Sequence, residues 1–138
     1  VTIQAQILDL MKKMQSEVKF SILLITHNMG IVAEMCDKVA VMYCGKVVEY
    51  SDVITIFKNS KHPYTRALLE SIPRVDVKKD ELKTIPGFVP SLVNPPAGCP
   101  FHPRCSYAQK ICGEVEPPKV EIGKDHIVYC HRACELFS

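Results

Sequence analysis

The stretch "ILLITHNMGIVAEMCDKVAVMYCGKVVEY", residues 22–50, decides the predicted fold. It begins inside an almost wholly apolar run, residues 20–25, of the kind that forms a strand covered on both faces of a parallel sheet. Two further apolar runs, residues 39–43 and 47–50, enclose a short Cys-Gly-Lys segment and therefore predict a β-hairpin. The stretch thus predicts three strands, of which the last two are antiparallel.

Helices are predicted before, between and after these strands in the sequence. Apolar side chains recur in those segments at helical spacing, and capping residues precede them. The predicted helices are residues 3–18, a helix of about 29–35 capped by Asn28, one that ends near Asn59 and is capped by Ser51 or Asp52, and one from Pro63 to near Ser71. The resulting order of elements is typical of half of an α/β domain.

Composition excludes several classes of protein. Hydrophobic residues make up 47% and charged residues 23% of the 138 residues, which is typical of a globular domain. The net charge of +2 provides no strong field for nucleic acid, so no nucleic-acid partner is expected. The longest apolar run is far shorter than the roughly 20 residues of a membrane-spanning helix.

His27 is the first candidate functional residue. It follows the apolar run 20–25 and precedes a predicted helix. Ligands of open α/β sheets lie beyond the carboxyl ends of the strands, and a histidine there can bind a phosphate oxygen or a polarised water near neutral pH. The alternative is a loop histidine without a ligand.

The motif Thr26-His27 and the residues after it resemble the end of the nucleotide-binding domain of ABC transporter ATPases. The residues that match that family's pattern are Asp37, Val39, Val41, Met42, Gly45, Val47, Val48 and Glu49. The resemblance implies an α/β fold that forms the C-terminal half of a P-loop ABC ATPase nucleotide-binding domain. It also implies that His27 is catalytic, contacts the γ-phosphate of ATP and orients the attacking water.

Other motifs of that family do not occur in these 138 residues. There is no phosphate loop of the form G-x-x-x-x-G-K-[ST], no Walker B run ending in Asp-Glu, and no "LSGGQ"-type signature. We therefore expect a C-terminal fragment of the ATPase, with ATP and Mg²⁺ as cofactors of the intact subunit. The fragment alone is expected to be inactive, because hydrolysis needs positioning, metal and water activation together.

The composition changes beyond Pro73. Eight of the ten prolines and five of the seven cysteines lie between residue 84 and the end. Such an irregular tail needs a staple or a docking surface to offset its ordering entropy. The boundary is predicted between residues 73 and 84, which gives a first domain of residues 1–73 and a Cys/Pro-rich second domain of residues 74–138.

The segment "KHPYTRALLESIP", residues 61–73, and the tail segment "IPGFVPSLVNPPAGCPFHPRCSYAQKIC", residues 85–112, sharpen the resemblance. Together they resemble the C-terminal region of the oligopeptide and dipeptide transporter ATPases, of which some relatives carry nickel. This resemblance implies a subunit that couples ATP hydrolysis to peptide import. It further implies a second ABC ATPase subunit, membrane permease subunits and, indirectly, a peptide-binding protein as partners, at the cytoplasmic face of the membrane.

Four cysteines of the tail form a candidate metal site. Cys99, Cys105, Cys112 and Cys130 have the spacing C-x5-C-x6-C-x17-C, and four thiolates from one loop can surround a metal centre. The spacing matches neither the usual zinc knuckle nor the common ferredoxin runs, so iron–sulfur, zinc, and free thiols or disulfides all stay open. The subgroup resemblance implies a [4Fe–4S] cluster, with zinc as the alternative.

For the remaining cysteines, histidines and arginines the sequence supports only weaker predictions. Cys134 could replace a ligand or form a local bridge, whereas Cys36 and Cys44 are expected to be bystanders. Three histidines are expected at the surface or outside the ligand set, and two arginines either offset thiolate charge or are solvated: His102, His126 and His131, and Arg104 and Arg132.

Two functions of different classes follow. The first is the ATP-binding subunit of a peptide importer, and the second is a self-standing metal-binding or redox module in which the cysteine loop is the function. The absence of a phosphate loop favours the second only for a complete chain, whereas the motifs of residues 1–60 favour the first. A half-domain of this kind is also expected to self-associate through its open sheet edge.

Overall fold

The computed structural model describes residues 2–72 and 84–137. The chain divides into two compact units, with the division between Asp37 and Lys38. The first unit contains two helices, and the second contains a sheet, further helices and the cysteine-rich segment. Within the described ranges, no helix has the length and apolar character needed to cross a membrane.

The first unit consists of α1, Ile3–Val18, and α2, Met29–Met35. The Thr2 hydroxyl caps α1 by accepting the backbone N–H of Ala5, and the helix ends where Lys19 adopts a left-handed φ of 58°. Both predicted helices are confirmed, because their caps and apolar spacing are local signals that do not depend on the rest of the fold.

The predicted strand at residues 20–25 is wrong for this structure. These residues have no regular secondary structure, and the Leu23 and Ile25 side chains are 90% and 91% exposed. A strand is defined by hydrogen bonds to a neighbouring strand, and the described residues supply no such neighbour for this run. An apolar run alone therefore did not suffice to form a strand.

The second unit is built on a four-stranded antiparallel sheet. Its strands are β1, Lys38–Tyr43, β2, Lys46–Asp52, β3, Lys119–Glu121, and β4, Ile127–Tyr129, in the order β1-β2-β4-β3. The predicted hairpin of β1 and β2 is confirmed. Its two-residue turn, Cys44 and Gly45, has φ values of 47° and 75°, which suit the twist of antiparallel strands.

Among its described residues, the second unit also contains three α-helices and one short 3-10 helix. They are α3, Val53–Asn59, α4, Pro63–Glu70, the 3-10 helix His102–Arg104, and α5, Lys110–Glu114. The Asp52 carboxylate caps α3 by accepting the Thr55 N–H at 2.9 Å, and His62 caps α4. The predicted helices after Asp52 and from Pro63 are therefore confirmed.

The tail is more regular than predicted. Strand β4 pairs with β2 through Glu49 opposite Val128 and Tyr50 opposite Ile127, so the tail extends the sheet of the hairpin. The main core of the unit joins both parts, because Phe101 packs with Tyr43 and Tyr64. The boundary predicted between residues 73 and 84 falls on residues 73–83, which lie outside the described residues. The division into residues 1–73 and 74–138 stays a prediction.

Candidate functional site

His27 lies between the unpaired run 20–25 and α2. The Thr26 hydroxyl accepts the Asn28 N–H at 3.0 Å, and the Asn28 carboxamide oxygen accepts the Gly30 and Ile31 N–H groups. The His27 side chain is exposed, and in the described part of the chain its imidazole has no hydrogen-bond partner. Its neighbours thus fix the backbone on both sides while the ring stays accessible to a ligand. The catalytic role of His27 stays a prediction.

The four candidate metal ligands come together in the second unit. Cys99 and Cys105 flank the 3-10 helix, Cys112 lies in α5, and Cys130 directly follows β4. All four line one small cavity whose surface is almost wholly apolar. All seven cysteines are free thiols, so no disulfide competes for these sulfurs. The structure therefore gathers residues that are up to 31 positions apart in sequence, from Cys99 to Cys130.

A close backbone contact brings two of these cysteines together. The Cys99 N–H donates to the carbonyl of Cys112 at 2.8 Å. The preceding residue, Gly98, has a φ of 69°, and a Cβ at this position would lie 2.4 Å from the same carbonyl. Glycine is therefore required here both for its backbone conformation and for the absence of a side chain.

Backbone N–H groups point at the cysteine sulfurs. The Gln109 N–H donates to Cys112 Sγ at 3.5 Å, and the Arg132 N–H donates to Cys130 Sγ at 3.4 Å. Backbone N–H groups of Phe101 and His102 lower the pKa of Cys99, and that of Tyr107 lowers the pKa of Cys105. Such an arrangement stabilises thiolate over thiol.

Burial nevertheless dominates the protonation of these thiols. Desolvation raises the pKa of Cys99, Cys105 and Cys130, and mutual repulsion among the cysteines raises it further. The backbone hydrogen bonds lower the pKa, as does the charge of Arg132 at Cys105 and Cys130. A bound cation reverses the effect of burial, because a coordinated thiol is deprotonated outright.

The donor chemistry of this site fits a thiolate-bound metal centre: four soft sulfurs, an apolar enclosure and N–H groups aimed at sulfur. The positions of the described side chains do not themselves form a metal site. Among residues 2–72 and 84–137, no three His, Cys, Asp or Glu side chains form a group that could hold a metal ion. The four cysteines therefore line one cavity, but the positions of their side chains do not identify which metal binds there.

Three histidines line the same cavity or its rim. The Nδ1–H of His102 donates to the Cys99 carbonyl, and the Nε2–H of His131 donates to the Val115 carbonyl, each at 2.9 Å. His62 differs, because its Nδ1 accepts the N–H of Tyr64 at 3.1 Å. Burial lowers the pKa of His62 to about 4, so its imidazole is neutral at pH 7.

A buried polar network behind His62 was not predicted from the sequence. The Glu49 carboxylate is fully buried and accepts the Lys61 N–H at 2.6 Å and the His62 N–H at 3.1 Å. His126 donates to the same carboxylate from the tail, with Nε2 at 2.8 Å from Oε1. The only sequence signal for this network was a glutamate within an otherwise apolar strand.

The structure adds detail to the weaker expectations for the histidines and Arg104. His126 is 4% exposed, so it is not a surface residue, because Glu49 pairs with it in the interior. Arg104 is half-buried, and its guanidinium donates to the carbonyls of Ile85 and Pro86 and to the Tyr43 hydroxyl, so its role beside the thiolates stays a prediction. His102 and His131 are half-buried at the cavity.

Arg132 lies beside the cysteines, as expected for charge compensation, and also donates to Glu135 and to the Tyr107 carbonyl. Cys134 is exposed, whereas Cys36 and Cys44 are half-buried. The roles of these three cysteines stay predictions.

Comparison with known proteins assigns a family to this arrangement. Residues 48–112 match the family described as "Oligopeptide/dipeptide transporter, C-terminal region". This range contains most of the hairpin's second strand, α3, α4 and three of the four cavity cysteines. The match therefore covers most of the cysteine site and part of the sheet.

Individual relatives extend the similarity to nearly the whole chain. The oligopeptide transport ATP-binding protein OppD of Bacillus subtilis is 50% identical over 93% of this chain and 36% of its own length. The dipeptide transport ATP-binding protein DppD of Caldanaerobacter subterraneus is 45% identical over 95% of this chain and 40% of its own length. A Brucella melitensis protein named as a peptide import ATP-binding protein is 49% identical over 99% of this chain.

The chain spans about two-fifths of the length of the curated relatives that it matches. The matching family is defined by the C-terminal region of its members, and the similarity continues through the Thr26-His27 motif to the first helix. The chain belongs to the oligopeptide/dipeptide transporter family of ABC ATP-binding proteins and corresponds to the C-terminal region of its members.

Proposed function

We propose that this chain forms part of the ATP-binding subunit of an ABC importer for oligopeptides or dipeptides. The observation that carries the proposal is the identity of 50% with an oligopeptide transport ATP-binding protein over 93% of the chain. The intact subunit couples ATP hydrolysis to transport, with ATP and Mg²⁺ as its cofactors. Residues 1–73 belong to its nucleotide-binding domain, as the C-terminal half of a P-loop fold, and residues 74–138 form its cysteine-rich C-terminal domain.

His27 carries the catalytic contribution of this chain. Its imidazole bonds to the γ-phosphate and orients the attacking water, a role that its exposure and its lack of a partner in the described residues support. The 138 residues hold no phosphate loop and no Walker B carboxylates, so these residues alone bind neither the β-phosphate nor Mg²⁺ in the usual manner. The chain by itself is therefore inactive.

The partners follow from the same assignment. Two ATP-binding subunits enclose the nucleotides, membrane permease subunits receive the mechanical work, and a peptide-binding protein delivers substrate to the permease. The subunit lies peripherally at the cytoplasmic face of the membrane. The chain produced alone self-associates through the edge of β1 that is unpaired among the described residues.

The test compares ATP hydrolysis by the intact transporter with that of a His27→Ala variant. Removal of the imidazole is expected to lower kcat at least about 100-fold while ATP binding persists, since a histidine of this type acts in the transition state. Lys13→Ala, an exposed change on α1, is the control and should leave turnover unchanged. Turnover by His27→Ala within a factor of two of the wild type would refute the role of His27.

For the cavity, we infer that Cys99, Cys105, Cys112 and Cys130 hold an iron–sulfur cluster. Support comes from the shared cavity, the free thiols and the backbone N–H groups beside these sulfurs. A [4Fe–4S] cluster, when bound, supplies one-electron redox chemistry. The four thiolates also cross-link the 3-10 helix, α5 and β4, and Arg132 offsets part of their negative charge.

Metal analysis of the intact subunit, purified without oxygen, tests this second proposal. Iron and acid-labile sulfide at about four each per subunit are expected, with loss of both in Cys112→Ser. Cys134→Ser is the control, because Cys134 is exposed and does not line the cavity. Stoichiometric zinc would support the alternative metal, and a metal-free protein would leave free thiols as the state of the site.

A further inference from the structure

His62 holds a distinct position among the histidines at the cysteine cavity. The ring protons of His102 and His131 are directed to backbone carbonyls, so these two histidines have no free N–H donor when neutral. At His62 the hydrogen bond runs the other way, because Nδ1 accepts a backbone N–H from Tyr64. The proton of a neutral His62 is therefore on Nε2.

The Nε2–H of His62 has no acceptor in the described part of the chain, although the residue is only 1% exposed. Nε2 is not fully enclosed, because Thr65 Oγ1 is the one fully buried side-chain polar atom without a hydrogen-bond partner among the described residues. The ring lines the cavity together with the four cysteines, His102, His131 and Arg132. The space that Nε2 reaches is therefore expected to be this cavity, where a ligand can supply the acceptor.

The ring is also held rigidly. His62 caps α4, its backbone N–H is bound by Glu49 at 3.1 Å, and its ring packs against Phe101 with 6.1 Å between ring centroids. Three independent contacts therefore fix the orientation of Nε2. A donor fixed in this way needs no reorganisation when a ligand acquires negative charge.

We propose that His62 donates a hydrogen bond from Nε2–H to a sulfur of the iron–sulfur cluster held by the cavity cysteines and thereby raises its reduction potential. The inference rests on the proposed function of the cysteine site. Cluster sulfurs are the acceptors that such a cavity offers, and hydrogen bonds to them set the potential. The reduced cluster is the more negative state, so a donor stabilises it more than the oxidised state and the potential rises.

The deciding variant is His62→Asn in the intact subunit. Asparagine is among the best capping residues, so it keeps the cap of α4 while it removes the ring donor. The reduction potential is measured by an anaerobic spectroscopic titration, and His62→Asn is expected to have a more negative potential at unchanged iron content. Thr65→Val is the matched control, because Thr65 is a buried residue of the same helix that does not line the cavity. Its potential should equal that of the wild type.

The outcomes separate the two proposals. Absence of iron from the wild type refutes the cluster and leaves no basis for the inference. An iron-loaded His62→Asn with a potential equal to or higher than that of the wild type overturns the inference alone. If His62→Asn does not load iron, nitrogen NMR of the wild-type histidines decides. A proton on Nε2 of His62 supports the inference, and a proton on Nδ1 overturns it.

Discussion

The two units of this chain differ in the polar and sulfur groups that they bury. In the first, the apolar stripe of α1 is exposed, and no residue of that helix is buried. In the second, a carboxylate, two histidines and three cysteines are buried. Buried polar groups of the second unit such as Glu49 and His126 are held by hydrogen bonds to each other, whereas α1 depends on local caps and spacing. Substitutions should therefore have large effects in the second unit and small effects in the first.

The largest effect is expected at Glu49. Glu49→Ala leaves the Lys61 and His62 N–H groups and the His126 ring without their acceptor in the interior. Removal of the shared acceptor from a buried polar network of this kind costs about 4 kcal/mol of the free energy of unfolding. Urea denaturation of the chain, followed by the fluorescence of its tyrosines, measures the change.

Glu121→Ala is the matched control for Glu49. Glu121 forms an ion pair with Lys119 on β3, and both side chains are largely exposed. Exposed pairs contribute less than about 1 kcal/mol, so this change should barely move the urea midpoint. Equal destabilisation by the two substitutions would contradict the contrast between buried and exposed polar groups.

The second effect concerns the close backbone contact at Gly98. In Gly98→Ala, the new methyl group meets the Cys112 carbonyl and the left-handed backbone is strained. The two costs together are expected to lower the free energy of unfolding by about 3 kcal/mol. Gly123→Ala separates them, because Gly123 has a φ of 71° but nothing lies near its added methyl group.

Gly123→Ala should cost only the backbone strain, about 1 kcal/mol. Thermal unfolding of both variants, with the wild type alongside, gives the difference. A Gly98→Ala variant no less stable than Gly123→Ala would show that the backbone around Cys99 and Cys112 is looser than this structure describes.

Local signals predicted most of the helices and the hairpin. Asn28 and Asp52 cap helices that start beside them, and Cys44-Gly45 forms the expected turn, because these features depend on residues within four positions. The wrong strand at residues 20–25 depended on pairing partners that an apolar run does not specify.

The candidate site was predictable in its cysteines but not in its supporting residues. Cysteine spacing marked four residues that do share a cavity. By contrast, Glu49 and His126 are 77 positions apart, and nothing in the sequence near either residue indicates the other. The same holds for Arg104, whose partners Tyr43 and Ile85 lie in distant segments. Long-range polar contacts leave no periodic signal in the sequence, so they cannot be predicted from its pattern.

The same substitution, isoleucine to valine, is expected to have different effects on stability in the two units. Ile56 of α3 is fully buried, whereas Ile7 of α1 is 52% exposed. Ile56→Val removes one buried methylene and should lower the free energy of unfolding by about 1 kcal/mol. Ile7→Val should change it by less than about 0.5 kcal/mol. Similar losses in the urea-derived free energies would show that α1 is covered in solution, for example by a second copy of the chain.

The smallest effect is a pH dependence that separates the caps of the two units. Hydrogen bonds from the Thr55 hydroxyl and backbone N–H to the Asp52 carboxylate lower the pKa of Asp52. In the unfolded chain this carboxylate takes up its proton at higher pH, so its stabilising contribution is complete above the usual aspartate pKa. The contribution is lost as the pH falls through the lowered value. Thr2, which caps α1, is a neutral hydroxyl and has no such dependence.

Urea midpoints of the wild type, Asp52→Asn and Thr2→Ala, measured from about pH 6 down to pH 3, test this difference. The gap between the wild type and Asp52→Asn should be constant at the upper end and should narrow below about pH 4, because only the carboxylate titrates there. The gap for Thr2→Ala should not change with pH. If the difference in urea midpoint between the wild type and Asp52→Asn stays constant to pH 3, the cap acts only through its hydrogen bond, since an asparagine oxygen accepts the same Thr55 N–H. The charge of Asp52 would then add nothing to what the neutral threonine does for α1.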